Sequence, residues 1–208
     1  MTSSPAPHQA RQRLRRIDAR QRIVDAAVTL LEERRWRDVP LEEVMARAGL
    51  ARTAFYRHFD DRGALLLALL DRVRVGVDES GSVWKSVAPD GAAEPEADLR
   101  AGLAELTEAM VRHGRLMQAV ADESPSDPAI AAAHEGMVAH FVDVTAVRIA
   151  ADVAAGRSSV ARPQETADAL VRMNEGVLLH AFGRHPLGDP HEVSDVLASI
   201  WIATVYGT

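Results

Sequence analysis

The chain of 208 residues contains no cysteine and a single lysine, Lys85, and only 4% of its residues are aromatic. The absence of cysteine excludes disulfide bonds, thiolate catalysis and thiolate metal sites. No apolar run approaches the length of about 18 residues that a membrane helix needs. The N-terminus also lacks the apolar core of a secretion signal, so we expect a soluble, cytoplasmic protein with no membrane association.

Sequence motifs of common catalytic and metal sites are missing as well. Neither GxGxxG nor a Walker phosphate loop occurs. His134 could begin an HExxH zinc motif, but the second histidine is replaced by Val138. Three later histidines are spaced five and six residues apart across a turn, and we interpret them as surface or interface residues: His180, His185 and His191. We therefore expect no enzyme activity, no metal site and no cofactor.

Charge and apolar patterning predict an all-α protein with one basic part. Hydrophobic residues make up 47% of the chain, and they recur at helical spacing without the alternation of strands. Residues 1–74 carry 15 arginines and 10 acidic residues, whereas residues 75–208 carry 9 basic and 20 acidic residues. A basic module followed by an acidic body is expected if only the first part contacts DNA.

A helix-turn-helix pattern lies near the N-terminus. Apolar residues recur at helical spacing through Leu41–Ala48, and Gly49 follows where the chain reversal needs a positive φ. Arg52–Phe59 predicts a second short helix, which buries Phe55 and Phe59 and leaves the polar residues between them facing outward. Two short helices joined by a glycine turn form a motif whose second helix enters the major groove of DNA.

These residues resemble the TetR family of bacterial transcriptional regulators. The family's turn, aromatic motif and polar link are present as Ala48-Gly49, Phe55-Tyr56-Arg57-His58-Phe59 and Asp60-Asp61-Arg62. The chain departs from the family in having Ala51 where a serine usually caps the recognition helix. The resemblance implies a double-stranded DNA operator as partner. It places Tyr56, His58 and Arg62 at phosphates, and Arg52, Thr53 and Arg57 nearest to base edges.

The predicted organisation has three parts. Residues 1–17 form a disordered basic arm, residues 18–67 a three-helix DNA-binding domain, and residues 68–208 a larger helical domain for ligand binding and dimerisation. Asp18 and Gln21 match a capping box that would open the first helix. A long fourth helix, from Asp60 and Asp61 to about Val83, joins the two domains.

The C-terminal domain is predicted to contain only helices. A loop rich in Ala, Pro and Gly is expected at Ala88–Glu96. Prolines near helix starts and glycines near helix ends set the remaining boundaries. The predicted helices run from Pro95 to about His113, over Arg115–Asp122, from the cap Asp127 to near Gly156, from Pro163 to about Phe182, and from the cap Asp189 to Tyr206.

Apolar stripes on these helices are more often a plain core than a ligand cavity. Asn174 favours the cavity, because an amide among apolar neighbours needs a hydrogen-bond partner if it is buried, and a ligand carbonyl is one candidate. The last two helices also carry more apolar residues than one stripe requires, which suggests a homodimer interface. That surplus includes Val177, Leu178, Leu179, Val193, Val196, Leu197 and Ile200.

The end of the chain resembles a branch of the TetR family whose members are homodimers with a long apolar ligand tunnel. The matching residues are Met173-Asn174-Glu175, Phe182, Ile200-Trp201-Ile202 and Tyr206-Gly207. The resemblance places Asn174 and Trp201 in the tunnel wall. The expected ligand-binding residues are Leu99, Leu103, Leu106, Met110, Val138, Phe141, Val144, Thr145, Val171, Asn174, Leu178 and Trp201.

The function implied by this resemblance is a ligand-responsive transcriptional regulator, in this family most often a repressor. A small apolar effector would release the homodimer from a palindromic operator. Two alternatives are a helical small-molecule or lipid-binding protein that binds no DNA, and an architectural DNA-binding protein that needs no ligand. Ligand-dependent release from DNA would distinguish the three.

Overall fold

Helices dominate the computed structural model, which describes residues 7–79, 95–185 and 187–207, and these ranges contain no strand. The expectation of an all-α fold is confirmed. The α-helices are α1 (Pro7–Glu33), α2 (Leu41–Arg47), α3 (Arg62–Glu79), α4 (Pro95–Glu123), α5 (Pro128–Ala154), α6 (Pro163–Phe182) and α7 (Pro190–Val205). Two 3₁₀ helices, Trp36–Asp38 and Arg52–Arg57, lie on either side of α2.

The chain divides into two compact units, Met1–Asp71 and Arg72–Thr208. The boundary between the two units falls inside α3. Within the first unit, α2 packs against α1 and against the second 3₁₀ helix. Within the second unit, α5 packs mainly on α6, and α4 packs on α7. In the described part of the chain, no helix is long and apolar enough to cross a membrane.

Two predicted helix starts in the second unit are confirmed, and each is set by a local cap. The side chain of Asp127 accepts hydrogen bonds from the backbone N–H groups of the first turn of α5, and Asp189 does the same for α7. Proline follows each cap as the first helical residue, where its missing N–H leaves no unpaired donor. In the same way, Asp61 Oδ1 accepts the N–H of Ala64 at 2.7 Å in the first turn of α3.

The first helix begins earlier than expected. It starts at Pro7 and not at Asp18, so residues 7–17, expected to be a disordered arm, are helical. Gln21 donates to Asp25 one turn later and does not close a capping box with Asp18. Arginine and glutamine make up six of these eleven residues, and both favour helix even where no apolar stripe supports it.

Two further predictions about helices were wrong. The recognition segment is a 3₁₀ helix over Arg52–Arg57 and not an α-helix to Phe59, and its N-cap residue Ala51 offers no side-chain hydrogen bond. In α4 the helix continues through Gly114, which was expected to separate two helices. A Cβ atom on Gly114 would lie 2.5 Å from the carbonyl oxygen of Phe182, so this glycine permits close packing and does not end a helix. The loop predicted at Ala88–Glu96 lies outside the described residues except for its last two, which begin α4.

Candidate nucleic-acid interface and effector region

The recognition segment is held from behind by two phenylalanines. Phe55 is fully buried and Phe59 is nearly so, and their rings stack with centroids 5.5 Å apart. Tyr56 meets the ring of Phe55 edge-on at 5.4 Å, yet 59% of its surface is exposed. The buried rings therefore fix the backbone while the next side chain projects outward, as the sequence predicted.

The turn before this segment has the geometry that its glycine requires. Gly49 has φ of +67°, in the left-handed region that favours glycine. The N–H of Leu50 donates to the carbonyl oxygen of Met45 at 2.9 Å, and the N–H of Gly49 donates to the carbonyl oxygen of Ala46 at 3.0 Å. This pair of bonds is a Schellman motif, which closes the end of α2 and redirects the chain into the recognition segment.

Two ion pairs tie α2 to the C-terminal end of α1 and to Arg34, the residue that follows it. Arg34 donates to Glu43, and Arg47 Nη1 lies 2.7 Å from Glu33 Oε1. The hydrogen bond from Arg34 holds the pKa of Glu43 below its ordinary value. Because between 37% and 50% of each side chain is exposed to water, the pairs set the orientation of α2 and do not supply much stability.

The six predicted DNA-binding residues differ in how exposed their side chains are. Thr53, Tyr56 and Arg57 are exposed. Arg52 is exposed too, although its Nη1 lies 2.9 Å from Glu42 Oε1, and exposed pairs of this kind exchange easily with other partners. His58 is half-buried at the end of the segment.

Arg62 makes two contacts with Trp36 inside the unit. Its Nη2 donates to the carbonyl of Trp36 at 2.7 Å, and its guanidinium lies 4.8 Å from the centre of the Trp36 ring. Trp36 itself is buried. Arg62 thus holds the start of α3 against the 3₁₀ helix Trp36–Asp38. Sequence reasoning missed this role because the two residues are far apart in the chain.

The structure brings most of the predicted ligand-binding residues together in the second unit. Eight of them belong to one apolar cluster or pack against it: Leu99, Leu103, Leu106, Met110, Val138, Val171, Leu178 and Trp201. Thr145 is buried as well, and Val144 is half-buried. Phe141 is the exception, because 39% of its surface is exposed. We call the set without Phe141 the effector region.

Asn174 is buried in the effector region and has a protein partner. The indole Nε1 of Trp201 donates to Asn174 Oδ1 at 2.9 Å. Because an indole N–H can only donate, this bond fixes which way the amide of Asn174 faces. The oxygen is directed to Trp201, so the NH₂ end of the amide is directed away from it. The hydrogen-bond partner expected from a ligand is therefore, in this structure, supplied by α7.

Sequence reasoning missed a buried charge cluster at the C-terminal end of α5. Asp152 is fully buried and accepts hydrogen bonds from Arg148 Nε at 3.0 Å, Arg157 Nη2 at 2.6 Å and the hydroxyl of Tyr206 at 2.6 Å. We call these four residues the Asp152 cluster. The available signal was an aspartate in an apolar helix with an arginine one turn before it. Tyr206, which joins α7 to the cluster, could not be paired with it from spacing alone.

Protonation in the Asp152 cluster follows from its contacts. Burial acts to raise the pKa of Asp152, but hydrogen bonds from Tyr206, Arg157 and Arg148 together outweigh it and lower the pKa below its ordinary value. Burial and the hydrogen bond to Asp152 raise the pKa of Tyr206. The carboxylate is therefore charged and the phenol neutral near neutral pH, which is the arrangement that the hydrogen bonds require.

Family models match both units of the chain. The model for bacterial regulatory proteins of the tetR family matches residues 23–69, and the model for the C-terminal domain of the transcriptional regulator EthR matches residues 99–207. The second match covers more than half of the chain. The chain belongs to the TetR family of bacterial transcriptional regulators. The members of this family are regulators and not enzymes, in agreement with the absence of catalytic motifs.

Individual relatives support this TetR-family membership. The HTH-type transcriptional regulator EthR of Mycobacterium tuberculosis is 29% identical over 188 residues, which cover 89% of this chain and 86% of that protein. EthR of Mycolicibacterium smegmatis is 25% identical over a similar range. Among solved structures, a transcriptional regulator from Saccharomonospora viridis in complex with choline has a TM-score of 0.70 at 19% identity, and it covers 88% of this chain and 95% of its own. At that identity the likeness concerns the TetR-type fold alone.

Proposed function

We propose that this TetR-family regulator is a homodimeric repressor that a small apolar effector releases from a near-palindromic operator. The observation that carries DNA recognition is the recognition segment, in which buried Phe55 and Phe59 present Tyr56 and Arg57 to solvent. Two such segments, one per subunit, would enter successive major grooves.

Within this proposal the exposed polar residues divide into two roles. Tyr56 and His58 contact phosphates, which positions the protein, and Arg52, Thr53 and Arg57 approach base edges, which gives sequence preference. Arg62 acts through its contacts with Trp36, because its guanidinium is already engaged there. The N-terminal turn of α3 provides further backbone N–H groups for a phosphate.

DNA binding is tested by gel-shift titration of Tyr56→Ala and Arg57→Ala on the promoter of the protein's own gene. A hydrogen bond to a charged group contributes about 1.5–3 kcal/mol, so each change should weaken binding roughly ten- to a hundredfold. Tyr56→Ala should weaken binding to all sequences alike and leave the salt slope unchanged, because a neutral phenol releases no counterion, whereas Arg57→Ala should mainly reduce the preference for the operator.

Two matched variants control for indirect effects on DNA binding. Tyr56→Phe keeps the ring and removes only the hydroxyl, so it should reproduce the loss if a phosphate contact is responsible. Arg162→Ala removes an exposed arginine from the second unit and should leave operator affinity unchanged. Unaltered affinity in folded Tyr56→Ala and Arg57→Ala variants would refute the assignment of the recognition segment.

The effector is proposed to bind beside Asn174. Its apolar body would replace contacts within the effector region, and its polar group would be a hydrogen-bond acceptor, because Trp201 occupies the oxygen of the Asn174 amide and leaves the NH₂ end as the donor. Binding would favour a dimer state in which the recognition segments are wrongly spaced for the operator. The shift is limited by the difference in effector affinity between the two states.

Methyl decanoate is a suitable probe, since its ester accepts hydrogen bonds but donates none. It should weaken the operator complex of the native protein, and Asn174→Leu should require at least about tenfold more ester for the same release, the loss of one hydrogen bond of about 1.4 kcal/mol. Fluorescence anisotropy of labelled operator gives both midpoints. Equal midpoints for the native protein and Asn174→Leu would exclude Asn174 as the contact.

A further inference from the structure

A cleft of about 550 Å³ lies between α4 and α7, and none of the twelve predicted ligand-binding residues lines it. Its floor is made of small side chains, among them buried Thr107 and Ala198 and half-buried Ser194. The hydroxyl of Thr107 donates to the carbonyl of Leu103 at 2.8 Å, so its hydrogen-bond donor is already used and the side chain carries no charge. The cleft exists because small residues recur on the facing sides of both helices.

Both signs of charge stand on the rim of the cleft. Arg100, Glu108 and Arg112 line it from α4, and His191 and Asp195 line it from α7. Arg112 and Glu108 are 3.8 Å apart and are 61% and 71% exposed. A loose, exposed pair of this kind contributes little to stability, so both groups can turn toward a ligand at small cost.

The cleft adjoins the N-terminal half of α7. Of the side-chain hydrogen bonds to the core described above, this half has fewer than the C-terminal half. The second half of α7 is held by the hydrogen bond from Trp201 to Asn174, and Tyr206, the residue that follows the helix, is held by its bond to Asp152. The first half, including Pro190, faces the cleft. A molecule in the cleft would therefore act on the first half of α7, while the second half stays fixed.

We propose that the α4–α7 cleft is a second ligand site, for a small zwitterion with a short aliphatic body, in the class of amino acids and short peptides. A ligand carboxylate would pair with a guanidinium of the rim, and a ligand ammonium with Asp195 or Glu108. The alanines of the floor, Ala101 and Ala104, suit a short aliphatic chain. The volume lies within the usual range of small-molecule pockets.

The chemistry of this site separates it from the effector region. The effector region is apolar with one buried amide, whereas the cleft is rimmed by charges of both signs. If the proposed function holds, the two sites would communicate through α7. A zwitterion in the cleft would then adjust operator affinity without entering the apolar cluster.

The site is tested by isothermal titration of the DNA-free protein with the dipeptide alanyl-alanine. N-acetyl-alanyl-alanine lacks the positive charge, and alanyl-alanine amide lacks the negative charge. Saturable binding of the dipeptide is expected, with each analogue at least about tenfold weaker. Absence of saturable binding, or equal binding of all three molecules, would overturn the proposal.

Variants locate the binding. Ala104→Trp should fill the cleft and abolish binding of the dipeptide, whereas Ala139→Trp, a matched change at an exposed position of α5, should not affect it. Asp195→Asn is a milder change at an exposed residue. It should weaken binding of the dipeptide but not binding of N-acetyl-alanyl-alanine, in which the amine is blocked. Unchanged affinity in these cleft variants would overturn the proposed location. Because no DNA is present, failure of this experiment is distinct from failure of the repressor proposal.

Discussion

Asp152→Ala should lower the free energy of unfolding by about 3–5 kcal/mol, the range found when one partner of a buried ion pair is removed. Asp152 is fully buried, and the side chain of Arg148 beside it is only 9% exposed. Without the carboxylate, a buried guanidinium loses its counter-charge, and the hydroxyl of Tyr206 loses its acceptor. Urea denaturation followed by circular dichroism gives the change in unfolding free energy.

Two substitutions calibrate this result. Asp143→Ala removes an exposed carboxylate from the same helix. The described partner of this carboxylate is Gln164, and the substitution should change the free energy of unfolding by no more than about 0.5 kcal/mol. Asp152→Asn keeps the shape and one acceptor oxygen but removes the charge, so it should fall between the two alanine variants. If Asp152→Ala cost no more than Asp143→Ala, the cluster would contribute nothing measurable.

Acid should weaken the Asp152 cluster in a predictable direction. The folded-state pKa of Asp152 is lowered, so its stabilisation is fully present above the unfolded value of about 3.9 and is lost as pH falls through the folded value. The native protein should therefore lose more stability between neutral pH and strong acid than Asp152→Asn does. Parallel pH dependences would show that another group controls acid unfolding.

The features that sequence predicted well are those encoded within a few residues. Asp127 and Asp189 cap helices through bonds to N–H groups two and three residues away, so the sequence contains all the information needed. Gly49 likewise adopts its positive φ because the chain must turn at the end of α2. The spacing of Phe55 and Phe59 identified the buried side of the recognition segment for the same reason.

The features that sequence could not supply depend on partners distant in the chain. Gly114 was interpreted as a helix end because its packing against Phe182 is invisible in the local pattern. Asn174 was expected to need a hydrogen-bond partner. Only the packing of α6 against α7 identifies that partner as Trp201. The link from Tyr206 to Asp152 spans 54 residues, and no periodicity points to it.

The residues of the predicted subunit surface also divide into those that the structure buries and those that it leaves exposed. Of the apolar residues that exceeded one stripe, Leu178 and Leu197 are buried in the core of the second unit and are therefore unavailable for an interface. Val196 and Ile200, one turn apart on α7, remain 57% and 39% exposed. These two residues are the strongest candidates for contact with a second copy, since large apolar side chains at adjacent exposed positions favour association.

Ile200→Asp should convert the proposed dimer into a monomer. A carboxylate buried in an apolar interface would lose its hydration without gaining a partner, which costs several kcal/mol. Light scattering at micromolar concentration should then give the 22.5 kDa mass of one chain, whereas the native protein should give twice that mass. Val147→Asp places the same charge at an apolar position of α5 that is 71% exposed, and it should remain dimeric.

Loss of the dimer should also weaken operator binding far more than any single contact does. Two linked recognition segments gain affinity from their effective concentration, typically by a factor of 10²–10⁴, and a monomer forfeits that gain. Gel-shift titration should therefore show Ile200→Asp at least about a hundredfold weaker than Val147→Asp, although the recognition segment itself is unaltered. A monomeric Ile200→Asp variant with native operator affinity would mean that one subunit suffices for binding. In that case the model of two segments in successive major grooves would be wrong.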